Sequence, residues 1–302
     1  MVDLTFAVTN RCNSRCRMCE IWKSNKPDVL EIEDFERLPN NLGLVNVTGG
    51  EPTLREDLSE IIEILKGKSK GIYLSTNGMI FNEKIRDIEV RVSIDGLGTK
   101  HDYMRGIEGA FECAIENAKR YKKNGNSVGL AFTVTKENYE DFFSVYSLSK
   151  NLGMQFTATI AHNSFYFNKF NNKIKKNLSL YSEIDLVVDE MVKGWNPVDL
   201  FRAYFIDHMK GWIEGQKRPV SCGAGKKTFF INYDGKVYPC NMIMTEIGNI
   251  REESLSDIIE RSKEIKNCKK ECWQVCTVHT MVRRNPIKFL SWVLYKKLRV
   301  II

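Results

Sequence analysis

The first half of the chain alternates short β-branched runs with amphipathic helical stretches, a rhythm that few folds satisfy. Strand-like runs fall at residues 3–9, 43–48, 71–75, 90–93, 128–134 and 154–160. Helical periodicity occupies 57–66, 109–123 and 139–152, the second with Phe111, Ala114, Ile115, Ala118 and Tyr121 at helical spacing. Strand, helix, strand repeated in this way predicts a parallel sheet with helices outside. Six such units fall short of the eight that close a full barrel. The expected fold is therefore α/β, an open, partial (β/α)6 TIM-like barrel.

The rhythm weakens after Ala161. Residues 163–177 are rich in Asn, Lys and Phe and read as an irregular segment facing substrate. Helical pattern returns at 179–193 and 199–215. Beyond Cys222 the texture is hairpin-like, 228–232 and 236–238 around a turn at Asp234-Gly235, and then a helix at 254–263 leads into a dense cysteine cluster. These shifts divide the chain into a barrel core over 1–205, a small hairpin-plus-helix module over 206–280 and a terminal amphipathic helix over 281–302. Composition matters for the last of these. The net charge is +7, and Arg283, Arg284, Lys288, Lys296, Lys297 and Arg299 account for most of it, with no acidic residue after Met281. The body of the protein thus lacks the charge signature of a nucleic-acid binder.

Cys12, Cys16 and Cys19 follow the first strand directly, spaced by three residues and then by two. Three thiolates on so short a loop can converge on one cubane cluster, each ligating a separate iron, which leaves a fourth iron without a protein ligand. An open coordination position is what a metal needs to bind and activate another molecule. A zinc knuckle or unrelated core cysteines are the alternatives; zinc sites usually show paired spacings and a fourth ligand. Polar residues then close each following strand: Gly49, Gly50 and Glu51 after the second, Ser75 to Gly78 after the third, Ser93 to Gly96 after the fourth. Glycines allow close backbone approach and a carboxylate can pair with an ammonium. One such strand end is ordinary turn chemistry. Several in order, all at the carboxyl ends of parallel strands, mark the face on which barrel enzymes place their sites.

On these residues the chain resembles the radical S-adenosylmethionine (radical SAM) enzymes over residues 3–160. The resemblance implies that Cys12, Cys16 and Cys19 hold a 4Fe–4S cluster whose open iron is chelated by the amine and carboxylate of S-adenosylmethionine. It implies that Gly49, Gly50 and Glu51 contact that amine, and that Ser75, Asn77 and Ser93 touch its ribose or carboxylate. Arg105, in His101-Asp102-Tyr103-Met104-Arg105-Gly106, matches a recurrent segment of the family. Met18 stands where an aromatic residue is frequent and still offers an apolar face to adenine. The implied chemistry is reductive cleavage of the sulfonium to a 5′-deoxyadenosyl radical that abstracts a hydrogen atom, with the electron supplied by a donor such as flavodoxin or ferredoxin.

A second set comprises Cys222, Cys240, Cys268, Cys272 and Cys276. With the segment from Asn232 to Cys240 it resembles the auxiliary-cluster modules called SPASM and twitch, implying one further 4Fe–4S cluster with four of the five as ligands. Structural zinc is the alternative. Cys113 reads as a core residue.

No secretory signal and no run of 18 apolar residues is present, so the chain is expected in the cytoplasm with reduced thiols. The terminal helix either docks on an anionic membrane surface or packs its apolar face on the barrel. The first strand begins near Met1 with no peptide-recognition domain before it, which favours a small, carbohydrate or lipid-linked substrate undergoing dehydrogenation or a related rearrangement. A peptide-modifying maturase and a non-catalytic iron–sulfur electron carrier are the competing readings. No catalytic side chain is assigned; His162 and His208 are candidates for acid–base work, although a lone histidine is more often structural.

Overall fold

The computed structural model describes residues 1–24, 26–243, 245–262, 272–273, 282 and 286–301. Six parallel strands, β1 (Asp3–Ala7), β2 (Leu42–Thr48), β3 (Ser69–Thr76), β4 (Glu89–Ser93), β5 (Ser127–Val134) and β6 (Gln155–Ile160), lie side by side in sequence order. Helices α1 (Ile32–Glu36), α2 (Leu58–Lys68), α3 (Thr99–Arg105), α4 (Ala110–Lys123) and α5 (Phe142–Asn151) connect them. The partial barrel follows from the strand–helix rhythm, and all six expected strands are present within two residues of their expected bounds at most positions. The short helices α1 and α3 lack enough turns to show a period and were not legible.

The C-terminal hairpin differs from expectation. β7 (Thr228–Ile231) pairs in parallel with β1, aligning Leu4 with Phe229 and Phe6 with Ile231. β8 (Lys236–Tyr238) and β9 (Gly248–Asn249) then continue antiparallel. The module is thus an extension of the barrel sheet, in the order β6-β5-β4-β3-β2-β1-β7-β8-β9. Pairing β7 beside β1 brings the second cysteine segment next to the strand that carries the first.

α6 (Leu178–Lys193), α7 (Pro197–Asp207), α8 (Met209–Ile213), α9 (Leu255–Arg261) and α10 (Pro286–Ile301) complete the chain. The single helix expected over 199–215 is interrupted at His208. There a ring nitrogen lies 2.8 Å from the Tyr204 carbonyl, while the His208 amide reaches the same oxygen only at 3.4 Å. The side chain thus competes with the backbone at that turn. The expected core boundary at 205 falls inside α7, whose Leu200, Ala203, Tyr204 and Phe205 belong to the main core.

α10 packs against α6 and α7. Val293 is buried; Trp292 Nε1 donates to Asp207 at 2.8 Å, and Lys296 Nζ donates to the same carboxylate at 3.0 Å. Lys297 reaches the carbonyls of Gly194 (2.6 Å) and Lys193 (3.3 Å), satisfying acceptors left free at the end of α6. Two of the residues that make the tail basic are therefore used for docking. Burial alone would raise the Asp207 carboxyl, but Lys296, Trp292 and Lys210 outweigh it and hold it below the usual carboxylate range. A depressed carboxyl stabilises the fold above its unfolded pKa and loses that contribution as pH falls through its folded value. Asp207→Asn is therefore expected to cost about 3 kcal/mol at neutral pH. The loss should shrink below roughly pH 4, as denaturant unfolding at the two pH values will measure.

Candidate cofactor and active site

Strand alternation builds the site. On β2, Val45 and Val47 are buried in the core packed by the helices, and the intervening residues face the barrel interior. The same period places Thr48, Ser75, Ser93, Thr133 and Thr159, one residue from each of β2 to β6, around one cavity. Thr133 and Thr159 are directly paired across β5 and β6. The cavity encloses about 220 Å³ and opens to solvent at its mouth. Every cofactor-binding residue expected from sequence, together with Cys12, Cys16, Cys19 and Met18, lines it.

The cysteine loop is clamped from three sides. At the end of β2, Gly50 N donates to the Thr9 carbonyl (2.9 Å) and Glu51 N to that of Arg11 (2.8 Å). A Cβ on Gly50 would stand 2.2 Å from the Arg11 oxygen, so glycine there is a condition of the close approach. At the end of β3, Asn77 Nδ2 donates to Asn13 Oδ1 (2.7 Å) and Ser14 Oγ (2.9 Å). From α3, the carbonyls of Arg105 and Met104 accept the amides of Arg15 (2.9 Å) and Arg17 (3.0 Å). The Gly-Gly turn and Asn77 thus brace the loop as well as line the cavity, a role that spacing alone did not reveal.

Glu51 is 1% exposed. Its Oε1 accepts from Thr53 N (3.1 Å), Thr53 Oγ1 (2.7 Å) and Thr76 Oγ1 (2.7 Å), and its Oε2 accepts from Asn77 N (2.7 Å). Burial pushes its carboxyl above the usual range, against these hydrogen bonds. Among the described residues no cation pairs with it. A buried carboxylate oriented by four donors and lacking a counter-charge suits an incoming ammonium.

Arg105 forms an ion pair with the fully buried Asp95 at 2.6 Å, and its Nη1 lies 3.6 Å from Cys16 Sγ. Among the described residues its Nε is buried without a hydrogen-bond partner. The Asp95 amide donates to His101 Nδ1 at 3.0 Å, and burial pushes His101 down to about 3, keeping that ring neutral. Asp95, Thr53, Thr76, Asn13 and Ser14 are supports that the strand-end motifs contained without announcing.

Burial pushes the Cys12 and Cys19 thiols up to about 12 and raises that of Cys16. The amides of Ser14 and Ile21 offset part of this by donating to Cys12 and Cys19, as the amides of Ala224 and Met242 do to Cys222 and Cys240 at 3.4 Å. An amide two residues on that points at sulfur is the polar support an iron–sulfur ligand needs. Among the described residues no three His, Cys, Asp or Glu side chains converge on one ion-sized point. Three thiols on one cavity wall are a donor set that a 4Fe–4S cluster could share, each thiol ligating a separate iron.

In the second set, Gly225 N donates to the Pro239 carbonyl at 3.1 Å, which joins the loops of Cys222 and Cys240. Arg218 Nη1 reaches the Cys272 carbonyl at 3.3 Å and its sulfur at 3.6 Å. Cys268 and Cys276 lie outside the described residues. Cys113 is half-buried rather than core, its sulfur 3.5 Å from the Met79 carbonyl. His162 lines the cavity, whereas His208 packs tilted against Tyr204 and stacks on Trp273 in the helical layer, away from the cavity lining.

Comparison with known proteins agrees with this geometry. The radical SAM superfamily model matches residues 6–148, and the model of the SPASM iron–sulfur cluster-binding domain matches 222–278. The sporulation killing factor maturation protein SkfB of Bacillus subtilis is 24% identical over 89% of this chain and 68% of its own length. The subtilosin biosynthesis protein AlbA of the same organism is 25% identical over 84% of this chain and 58% of AlbA. Fe-coproporphyrin III synthase of Methanosarcina barkeri is 31% identical over 47% of this chain, which spans only 39% of that enzyme. The crystal structure of Streptococcus suis SuiB bound to S-adenosylmethionine superposes with a TM-score of 0.64 at 17% identity, covering 85% of this chain and 65% of SuiB.

Proposed function

The chain belongs to the radical SAM superfamily and carries a SPASM-type iron–sulfur module, and from that premise we propose that it is a maturase acting on a peptide substrate. What supports the reading is that SkfB and AlbA each align over more than four-fifths of this chain. The expected carbohydrate or lipid-linked substrate finds no support among the relatives, and the position of the first strand says nothing about how a substrate is held. A tetrapyrrole is the second reading, carried by AdoMet-dependent heme synthases that are 25–26% identical over 86% of this chain. When bound, the cluster and S-adenosylmethionine supply the radical that removes a hydrogen atom from substrate. This chain's residues do the rest. Glu51 would accept from the cofactor's amino group and Arg105 would pair with its carboxylate, with Ser75, Ser93 and Met18 as the remaining cavity walls for its ribose and adenine. The electron comes from an external donor of the flavodoxin or ferredoxin kind. Anaerobic reconstitution with candidate precursor peptides deuterated at Cα tests the proposal. Deuterium in 5′-deoxyadenosine is expected, whereas transfer from a labelled porphyrin and from no peptide would reject the peptide reading.

We also propose peripheral contact of α10 with an anionic membrane. No described helix is long and apolar enough to cross one. The face of α10 opposite its docked side presents Ile287, Leu290, Leu294 and Leu298, each more than half exposed, on a helix with no acidic residue. A second copy docked on that face would set like charges against each other. Leu290→Glu with Leu294→Glu should reduce co-sedimentation with phosphatidylglycerol vesicles at least tenfold. Equal sedimentation of wild type and variant would dismiss the contact.

A further inference from the structure

The segment 163–170 sits against the cysteine loop, with Glu20 N donating to the Phe167 carbonyl at 2.8 Å and Phe167 lining the cofactor cavity. Within it, Tyr166 is fixed from several sides. Its ring meets Phe230 of β7 edge-on at 4.7 Å, and it packs with Ala7 at the end of β1 and with Tyr238. Its amide donates to Ser164 Oγ at 3.1 Å, and that hydroxyl donates to the Asn241 carbonyl at 2.6 Å. So held, the Tyr166 hydroxyl has no solvent access and no hydrogen-bond partner among the described residues. Burial raises the phenol well above its usual range, and the nearby sulfurs of Cys19 and Cys12 add to that rise. A phenol buried without a partner is disfavoured unless something absent from the polypeptide receives its proton.

We propose that Tyr166 donates a hydrogen bond to the sulfur of the cluster held by Cys12, Cys16 and Cys19, and thereby raises its reduction potential. The proposal rests on the assignment of that cluster and goes beyond it by naming a residue that tunes it. Reduction adds negative charge to the sulfurs, so a donor aimed at them stabilises the reduced form more than the oxidised one. The burial that excludes water from the phenol also strengthens the bond.

Redox titration of the anaerobically reconstituted protein, monitored by electron paramagnetic resonance, tests this with Tyr166→Phe. That variant keeps the ring against Phe230 and deletes only the hydroxyl. Its reduced-to-oxidised ratio at fixed poise should fall about tenfold, a shift of roughly 59 mV to more negative potential for one electron. Iron content and melting temperature should stay as in wild type. Replacing Tyr166 by 3,5-difluorotyrosine keeps the donor and makes it more acidic, so the potential should move the other way. Potentials unmoved in both forms would overturn the proposal, as would a Tyr166→Phe protein that loses iron while the fluorinated form titrates like wild type. Absence of any low-potential cluster from wild type itself would instead contradict the cluster assignment, so the two failures are distinguishable.

Discussion

Replacing Cys12, Cys16 and Cys19 together by alanine is expected to remove one cluster's iron and to abolish reductive cleavage of S-adenosylmethionine, while the auxiliary cluster persists. The expectation follows from the separation of the two cysteine sets. The triplet lines the barrel cavity. Cys222 precedes β7 and Cys240 follows β8, each held by its own amide-to-sulfur hydrogen bond. The fold should survive, because the loop's path is set by Gly50, Asn77 and the end of α3 acting on backbone and on Asn13 and Ser14, not by the thiols. Iron analysis with electron paramagnetic resonance, set beside the melting temperature, checks each part. Loss of all iron from the triple variant would refute two independent sites.

Glu51→Gln is expected to weaken S-adenosylmethionine binding by about ten- to a hundredfold, the worth of one buried charge-assisted hydrogen bond. The amide has one acceptor where the carboxylate has two, so its nitrogen would confront either the Asn77 amide or the Thr53 and Thr76 donors. Destabilisation of about 1–3 kcal/mol should accompany the change. Equilibrium binding of S-adenosylmethionine to the reconstituted protein separates the two effects. Wild-type affinity in a destabilised variant would mean that Glu51 only braces the turn.

Much of this was legible in the sequence because it depends on local periods. The polar strand ends placed Gly49 to Glu51, Ser75 and Ser93 at one end of the sheet, and the triplet's spacing restricted what it can hold. Contacts remote in sequence were not legible. The parallel pairing of β7 with β1 joins residues 3–6 to 228–231, and no turn signal announces a pairing so distant. Asn77 was read as a cofactor contact because its strand end is polar; that its amide also grips Asn13 and Ser14 depends on how the cysteine loop folds back. Tyr166 stood within an aromatic segment, and nothing in its neighbours' identities singled out its hydroxyl. For α10 the sequence left packing and membrane docking as alternatives. Asp207 and the carbonyls ending α6 fasten one face, and the helix is apolar enough to leave a second face exposed.

The central claim is that the triplet's cluster would keep one iron free for S-adenosylmethionine, whose amino nitrogen would ligate that iron while its N–H donates to Glu51. Electron–nuclear double resonance of the reduced cluster, with S-adenosylmethionine carrying 15N in its amino group, tests this directly. The account predicts a 15N coupling that disappears when unlabelled cofactor is substituted. A reduced cluster that shows no such coupling while the labelled cofactor is bound would contradict it.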